Sequence, residues 1–326
     1  MNTRHALSVT LAIATTAFAA LPHSALAQAW PARSVRVIVP FTPGGGVDIV
    51  ARAIAMKMQE NLGQPFVIDN RAGAGSNIGI EAAVQSTPDG YTLLVASSAI
   101  AINPSIYKEL RYDALTDLAP ISLTSVVPLV LVTSPKLPVQ SIADIIALAK
   151  GAKTPPSYAS AGLGNSTHLA MELLRMSTGT KLLHIPYKST SQKNTDVISG
   201  QVDMMFAAPP SVTNFIRSKQ MKGIAVSGAR RSSVLPDLPT VAEAGVAGYD
   251  FVSWNGMFAP AKTPAAIIGA VHAELVKITS NPEIKNRLAN EGADPVTNTP
   301  AEFAAYIKAE IGKYAKLVAA TGIPKE

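Results

Sequence analysis

The stretch from Pro40 to Asp48 constrains the fold more than any other part of the chain, because it joins an apolar run to a helical pattern through three consecutive glycines. The apolar run at 35–39 predicts a buried β-strand, and the apolar residues that follow recur at helical spacing until Leu62 and Gly63. Glycines expose backbone N–H groups, and a helix start carries partial positive charge. The stretch therefore predicts either a site for a small anion or a glycine turn that only connects two elements.

The same strand, loop and helix alternation continues along the first half of the chain. A second strand at 65–68 leads into a glycine-rich loop at 70–77, and a third strand at 92–96 runs into Ser97 and Ser98. In such α/β arrangements, ligands gather at the carboxyl ends of the strands. The loops after these three strands are therefore predicted to lie together.

The alternation restarts in the second half, after residue 128. A strand at 157–160 leads through the small-residue loop 161–167 into a helix that begins at His168. The chain of 326 residues is long enough for two domains of ordinary size. The part after residue 263 is predicted to be mainly helical, and the sequence Thr299-Pro300-Ala301-Glu302 predicts a capping box at the start of its last helix.

The first residues are predicted to be a signal peptide covering 1–27. Arg4 and His5 precede an apolar segment, and Ala25-Leu26-Ala27 has the small-x-small form of a cleavage site. No later segment approaches the roughly 20 apolar residues that a spanning helix needs. We therefore expect cleavage near Ala27 and export, and the absence of cysteine is compatible with a bacterial periplasm.

Composition and motifs argue against several classes of function. The net charge of +6 is spread along the chain without a basic block, so no nucleic-acid partner is expected. The chain lacks the serine-hydrolase elbow, the His-Glu-x-x-His zinc motif and the phosphate-binding P-loop. His168 and Glu172 share a helix face, but two ligands do not make a metal site. We therefore predict a protein that is not an enzyme and that has no cofactor and no metal.

What remains is a group of hydroxyls and amides at several strand ends, which recognise carboxylates by hydrogen bonding. These residues are Thr42, Ser97, Ser98, Asn165, Ser166 and Thr167. Asp48 could contact the ligand or could stabilise the first turn of its helix, and the second reading is favoured because a carboxylate would repel a bound anion.

Six ordered segments carry a resemblance to a known family. They are 37–48, 70–75, 88–94, 184–188, 200–203 and 238–245. Together they resemble the Bug-type, TctC-like periplasmic solute-binding proteins, the receptors of tripartite tricarboxylate transporters. The resemblance implies a two-lobed α/β periplasmic binding protein of type II, a Venus flytrap. Lobe 1 would comprise residues 28–127 and 251–326, and lobe 2 residues 128–250.

The resemblance also implies that a small carboxylate is held between the loop after the first strand and the loop 162–168. With the polar residues above, the predicted ligand-binding set is Phe41, Thr42, Gly44, Gly45, Gly46, Asp48, Ser97, Ser98, Gly164, Asn165, Ser166, Thr167, His168, Tyr187 and Asp203. A phenylalanine at a strand end is also typical of a hydrophobic core, so Phe41 has two readings.

Two stretches depart from the pattern of this family. Residues 189–195 are rich in hydroxyls and amides and include Lys193, and Ala207-Ala208 stand where an acidic residue is frequent. If these residues edge the cleft, they predict a more anionic or more oxygen-rich ligand than a simple amino acid. The alternative is surface variation away from the cleft.

The resemblance implies a monomer that delivers its ligand to membrane subunits of a tripartite tricarboxylate transporter. The alternative is a periplasmic sensor that presents a bound metabolite to a two-component kinase. A hydrolase or isomerase on the same fold would need a reactive side-chain pair, and the motifs contain none.

Overall fold

The computed structural model describes residues 30–187, 189–323 and 325, and the predicted signal peptide lies outside them. The strands are β1 Val35–Val39, β2 Phe66–Asn70, β3 Thr92–Ser97, β4 Leu118–Pro128, β5 Val130–Thr133, β6 Ser157–Ser160, β7 Leu183–Pro186, β8 Met204–Ala207, β9 Lys222–Val226, β10 Val252–Pro260 and β11 Asp294–Pro295. The helices are α1 Gly46–Leu62, α2 Asn77–Val84, α3 Ala99–Ile106, α4 Ile142–Gly151, α5 Ser166–Thr178, α6 Thr190–Ser199, α7 Thr213–Arg217, α8 Ala265–Ser280, α9 Pro282–Asn290 and α10 Pro300–Thr321. None of the helices in these ranges is long and apolar enough to cross a membrane.

The strands form two mixed sheets. The first has the order β11-β4-β10-β3-β1-β2, and the second has the order β7-β6-β8-β5-β9. In the first sheet β1 runs parallel to β2 and β3, and in the second β6 runs parallel to β7 and β8. Helices flank both sheets, which confirms the predicted two-lobed α/β fold. The six-stranded sheet with its helices is called the first lobe below, and the five-stranded sheet with its helices the second; the lobe boundaries in the sequence stay a prediction.

The chain passes between the lobes where β4 ends and where β10 begins. These two strands are antiparallel neighbours, and Val252 pairs with Pro128 at their shared end. The following strand β5 starts only two positions later, at Val130, in the second sheet. Both connections therefore leave the first lobe from adjacent strands, which is a suitable place for a hinge.

Local sequence signals set the ends of the helices that matter for the site. Helix α1 begins at Gly46, the third of three consecutive glycines, and ends at Leu62, before Gly63, whose φ of 70° is left-handed. Its apolar face, including Val50, Ile54 and Met58, is fully buried against the first sheet. Helix α10 starts with the predicted capping box, in which Thr299 and Glu302 bond each other's backbone. It packs against α3 and β4 and also reaches α5 of the second lobe.

Candidate ligand-binding cleft

A cavity of about 590 Å³ lies between the lobes, at the carboxyl ends of their parallel strands. A volume of this size suits a small organic ligand. The first lobe contributes the loops after β1, β2 and β3, and the second contributes the loop after β6 and Ala208 after β8. The polar residues that line it are Thr42, Ser76, Ser97, Ser98, Asn103, Tyr107, Asn165, Ser166, Thr167, Ser253 and Asn255.

The cavity lining is polar but uncharged. Among the described residues that line it, none carries a formal charge at neutral pH. A bound carboxylate would therefore be held by hydroxyls, amides and backbone N–H groups rather than by a lysine or arginine of the lining. Backbone groups are accessible because glycines and other small residues occupy much of the surface, including Gly46, Gly75 and Gly164.

The loop after β1 is held in place by the buried carboxylate of Asp48. Asp48 is 1% exposed, and its Oδ2 accepts a 2.9 Å bond from the backbone N–H of Gly44 and a 2.8 Å bond from Arg52 Nε. Its Oδ1 accepts a 2.8 Å bond from Asn70 Nδ2, which also donates to the carbonyl of Phe41. Burial raises the pKa of Asp48, but these hydrogen bonds outweigh it and hold the pKa below its ordinary value. Asp48 is thus ionised and fully engaged within the loop.

The loop after β2 has a strained backbone. Ala74 and Ser76 have φ values of 46° and 79°, which side-chain-bearing residues rarely adopt, and Gly75 between them has a φ of 60°. Asn103 on α3 donates a 2.9 Å bond to the carbonyl of Gly75, which holds the turn. Such conformations cost energy and are typical of functional sites, and both Gly75 and Ser76 line the cavity.

The loop after β6 forms the opposite wall, and its own residues hold it together. Asn165 caps α5, because its Oδ1 accepts from the backbone N–H of Thr167 at 3.0 Å and from its hydroxyl at 3.2 Å. The Thr167 hydroxyl in turn accepts a 2.9 Å bond from the backbone N–H of Ala161. Ser166 makes only a long 3.4 Å contact with Asn165, so its hydroxyl remains available to a ligand.

Two stacked histidines, His168 and His184, pack beneath the loop after β6 and hold it through hydrogen bonds. The rings of His168 and His184 lie 3.9 Å apart and almost parallel, and Tyr158 stacks on His184. His168 Nδ1 accepts a 3.0 Å bond from the backbone N–H of Gly164, and His184 Nε2 lies 2.6 Å from Ser160 Oγ. The histidines therefore hold both ends of the loop 161–164, which contributes to the cavity lining.

The structure brings most of the predicted binding residues to one cavity. Those that line it are Phe41, Thr42, Gly46, Ser97, Ser98, Gly164, Asn165, Ser166 and Thr167. Gly44, Gly45, Asp48 and His168 do not line it but belong to the loops that do, or support them. Direct contact of any of these residues with a ligand stays a prediction.

Two predicted residues, Tyr187 and Asp203, do not line the cavity, and their contact with a ligand stays a prediction. Asp203 precedes β8 and accepts bonds from the backbone and hydroxyl of Ser157 at the start of β6. It therefore lies at the amino ends of these strands, at the edge opposite the cavity. Tyr187 donates its hydroxyl proton to Asp196 on α6 at 2.6 Å and does not line the cavity. Both residues brace the second lobe internally.

One of the two readings of segment 189–195 placed it at the edge of the cleft, and this reading stays a prediction. The segment forms the start of α6, and none of its residues lines the cavity. Lys193 and Asn194 are buried rather than exposed at a rim. Of Ala207 and Ala208, which stand where the family often has an acidic residue, only Ala208 lines the cavity.

Sequence reasoning missed several polar lining residues. Ser253 and Asn255 project from β10, and Asn103 lies on α3. Neither element was predicted, because α3 contains Pro104 and β10 contains Gly256. The alternation of Ser253 and Asn255 along an otherwise apolar run was the one signal that could have indicated a strand with a polar edge.

Possible metal sites are also absent from the part of the chain that the structure describes. No group of at least three His, Asp or Glu residues there is placed to hold an ion. His168 and Glu172 are each engaged by other residues, since Tyr158 and Arg175 bond the Glu172 carboxylate.

Comparison with known proteins gives a consistent result. The family model described as "Tripartite tricarboxylate transporter family receptor" matches residues 50–323. The protein BugT of Bordetella pertussis is 37% identical over 99% of this chain and 99% of its own length. The structure of Rpa4515 of R. palustris with adipate covers 91% of this chain and all of its own, with 33% identity and a TM-score of 0.79. The structure of MatC from Rhodopseudomonas palustris with bound malate covers 88% of this chain and 99% of its own, with 28% identity and a TM-score of 0.72.

Proposed function

Because this chain belongs to the tripartite tricarboxylate transporter receptor family, whose members are periplasmic solute-binding proteins, we propose that it captures a small organic carboxylate between its two lobes. The ligand would be a di- or tricarboxylate or an aromatic acid. The observation that carries the proposal is the cavity between the lobes, lined by hydroxyls, amides and glycine backbone but by no charged side chain among the described residues. Two similar proteins have structures with the carboxylates adipate and malate.

The arrangement supports capture by lobe closure. Donors come from the loop after β1 on one side and from the loop after β6 on the other, so a ligand that bonds both would stabilise the closed arrangement. Gly164 already approaches the first lobe closely, since a Cβ at that position would lie 2.7 Å from Ile106. Affinity should therefore depend on both walls, and neither wall alone should suffice.

Delivery and location complete the proposal. Residues 1–27 would direct export and be removed near Ala27, and the mature monomer would pass its ligand to membrane subunits of a tripartite tricarboxylate transporter. The family match supports both parts of this assignment. The alternative of a sensor that presents its ligand to a kinase uses the same cleft, and loss of uptake on deletion of the gene would distinguish the transporter role from it.

The test begins with the full chain expressed with its own leader and purified from the periplasmic fraction. Intact mass should correspond to a start near Gln28, and native mass spectrometry should detect a co-purifying organic acid. After denaturation, removal of ligand and refolding, calorimetry with adipate, malate, citrate and benzoate should give micromolar or tighter binding of at least one acid. Binding only of arginine or a neutral sugar would contradict the proposal, as would conversion of a bound acid into product.

Ser166 and Thr167 should respond differently to alanine substitution. Ser166→Ala should weaken binding of the best acid of this screen by about tenfold, with an unchanged melting temperature, because its hydroxyl has only a long internal contact. Thr167→Ala should lower the free energy of unfolding by about 1 kcal/mol, because its hydroxyl connects Ala161 to Asn165. Calorimetry and chemical denaturation of both variants measure the two effects. Unchanged affinity in Ser166→Ala would remove Ser166 from the site.

A further inference from the structure

The buried face of α6 is unusual, because it contains a lysine. Lys193 is 3% exposed and its neighbour Asn194 is 8% exposed, and only Val197 of the buried residues on this helix is apolar. Lysine is almost never fully buried unless its charge is paired. The question is therefore which group compensates the ammonium.

No side chain of the protein's described part fills this role. No carboxylate there lies within 4.0 Å of the Lys193 ammonium, and the lysine makes no side-chain hydrogen bond. Asp196, one turn further along α6, accepts the Tyr187 hydroxyl proton instead. Burial alone shifts the pKa of Lys193, downward, and no nearby acid raises it. The residue is almost completely buried and no carboxylate among the described residues pairs with its ammonium, so a bound anion could take that role.

Asn194 adds a second unmet group beside it. Its Nδ2 donates a 3.0 Å bond to the carbonyl of Ser211. Its Oδ1 is buried, and no donor among the described residues reaches it. An unpartnered amide oxygen needs a donor, which an ionised carboxylate cannot supply but a water molecule beside the ligand can.

Topology places these two residues on the cleft side of the second lobe. Strands β6, β7 and β8 are parallel, so their carboxyl ends share one edge. Helix α6 begins just after the carboxyl end of β7, and the loops after β6 and β8 line the cavity at that same edge. The bond from Asn194 to Ser211 ties the first turns of α6 to the segment that directly follows Ala208, a lining residue.

We propose that Lys193 is the cationic partner of a second carboxylate on the ligand, so that this receptor selects dicarboxylates over monocarboxylates. The inference rests on the proposed function. One carboxylate would bind the neutral donors of the cavity, and the other would extend past Ala208, whose short side chain leaves room for it, toward the ammonium. The flexible four-carbon stem of lysine lets the ammonium move to meet it on closure.

The experiment uses ligand-free mature protein and acids that differ only in one carboxylate. Calorimetry with succinate against butyrate, and with adipate against hexanoate, should show that the wild type prefers the dicarboxylate of at least one pair by about 100-fold or more. Lys193→Met should reduce that preference by about tenfold or more, through weaker dicarboxylate binding with little change for the monocarboxylate. The same variant should not lower the melting temperature of the ligand-free protein, because methionine preserves most of the buried stem and no ion pair is lost.

Lys222→Met is the matched control. Lys222 lies in the same lobe, but its ammonium donates to the carbonyls of Leu137 and Val139 at 2.7 and 3.3 Å. This variant should lower the melting temperature and leave the dicarboxylate preference unchanged. Equal binding within each pair, or an unchanged preference in Lys193→Met, would overturn the role of Lys193 while leaving a carboxylate receptor standing. Binding of none of the acids in either experiment would overturn the proposed function as well.

Discussion

Replacing Asp48 with alanine is expected to lower the free energy of unfolding by about 3 kcal/mol and to weaken carboxylate binding by more than about tenfold. The carboxylate is buried and accepts hydrogen bonds from Gly44, Arg52 and Asn70. Its removal leaves these donors without their acceptor and frees the loop whose residues Thr42 and Gly46 line the cavity. Binding should weaken because the freed loop must then be ordered when the ligand binds, and the free energy of ordering it is subtracted from the affinity. Chemical denaturation and calorimetry measure the two effects.

Asp144 provides a matched control for this substitution. It also lies in the first turn of its helix and also accepts a 2.9 Å bond from a backbone N–H four residues earlier, that of Gln140. Asp144 is exposed, however, and α4 does not line the cavity. Asp144→Ala should therefore cost about 0.5–1 kcal/mol and leave affinity unchanged. If Asp48→Ala kept full affinity despite its lower stability, the loop would not need this brace for binding.

Much of the fold followed from signals that are local in the sequence. The glycines before α1, the αL residue Gly63 after it and the capping box of α10 each act within a few residues of themselves, and all were predicted correctly. The start of α5 was predicted two residues too late, at His168 instead of Ser166, although Asn165 before it is a residue type that commonly caps helices and bonds Thr167. The glycine loop and the loop after β6 could be assigned to one site because both follow parallel strands, whose carboxyl ends meet at the cleft.

The missed elements depend on contacts between distant residues. Strand β4 contains Ser122, Thr124 and Ser125, which are all fully buried, so its sequence lacks the apolar pattern of a buried strand. Ser122 is satisfied by the backbone of Asn298, far along the chain, and Ser125 by Asn255 on β10. No pattern within the segment predicts such partners.

The predicted site residues that do not line the cavity also depend on contacts between distant residues. Asp203 belongs to a matching segment of the family pattern, but its partner Ser157 lies at the far end of β6. Which end of a strand a polar residue occupies depends on the strand's exact start, and β8 begins at Met204, directly after Asp203. The charge state of the buried Lys193 likewise depends on neighbours that only the fold defines.

Acidification is expected to have the second large effect, a loss of stability, and the titration of His168 and His184 determines the pH range in which it occurs. Burial, together with the nearby charge of His184, lowers the pKa of His168 from 6.5 to about 4, and burial also lowers the pKa of His184. Glu172 opposes this shift and Arg175 adds to it. Since the unfolded chain binds protons at a higher pH than the folded protein, the stability is fully present above pH 6.5 and is lost as the pH falls toward 4. The loss for His168 should reach up to about 3 kcal/mol.

Ligand affinity should fall over the same range, because a protonated His168 Nδ1 cannot accept the backbone N–H of Gly164, a lining residue. The pKa of Asp48 is lowered from 3.8, so the stability that its ionised carboxylate provides is lost only below pH 3.8. This loss is therefore separated from the one caused by His168. His168→Asn keeps an acceptor for Gly164 but does not titrate, so the slope of stability and of affinity between pH 6.5 and 4 should flatten. His272→Asn is the control, because His272 is half-buried beside the Asn298 carbonyl, away from the cavity. A slope that persists in His168→Asn, or that disappears in His272→Asn, would assign the pH response to other groups.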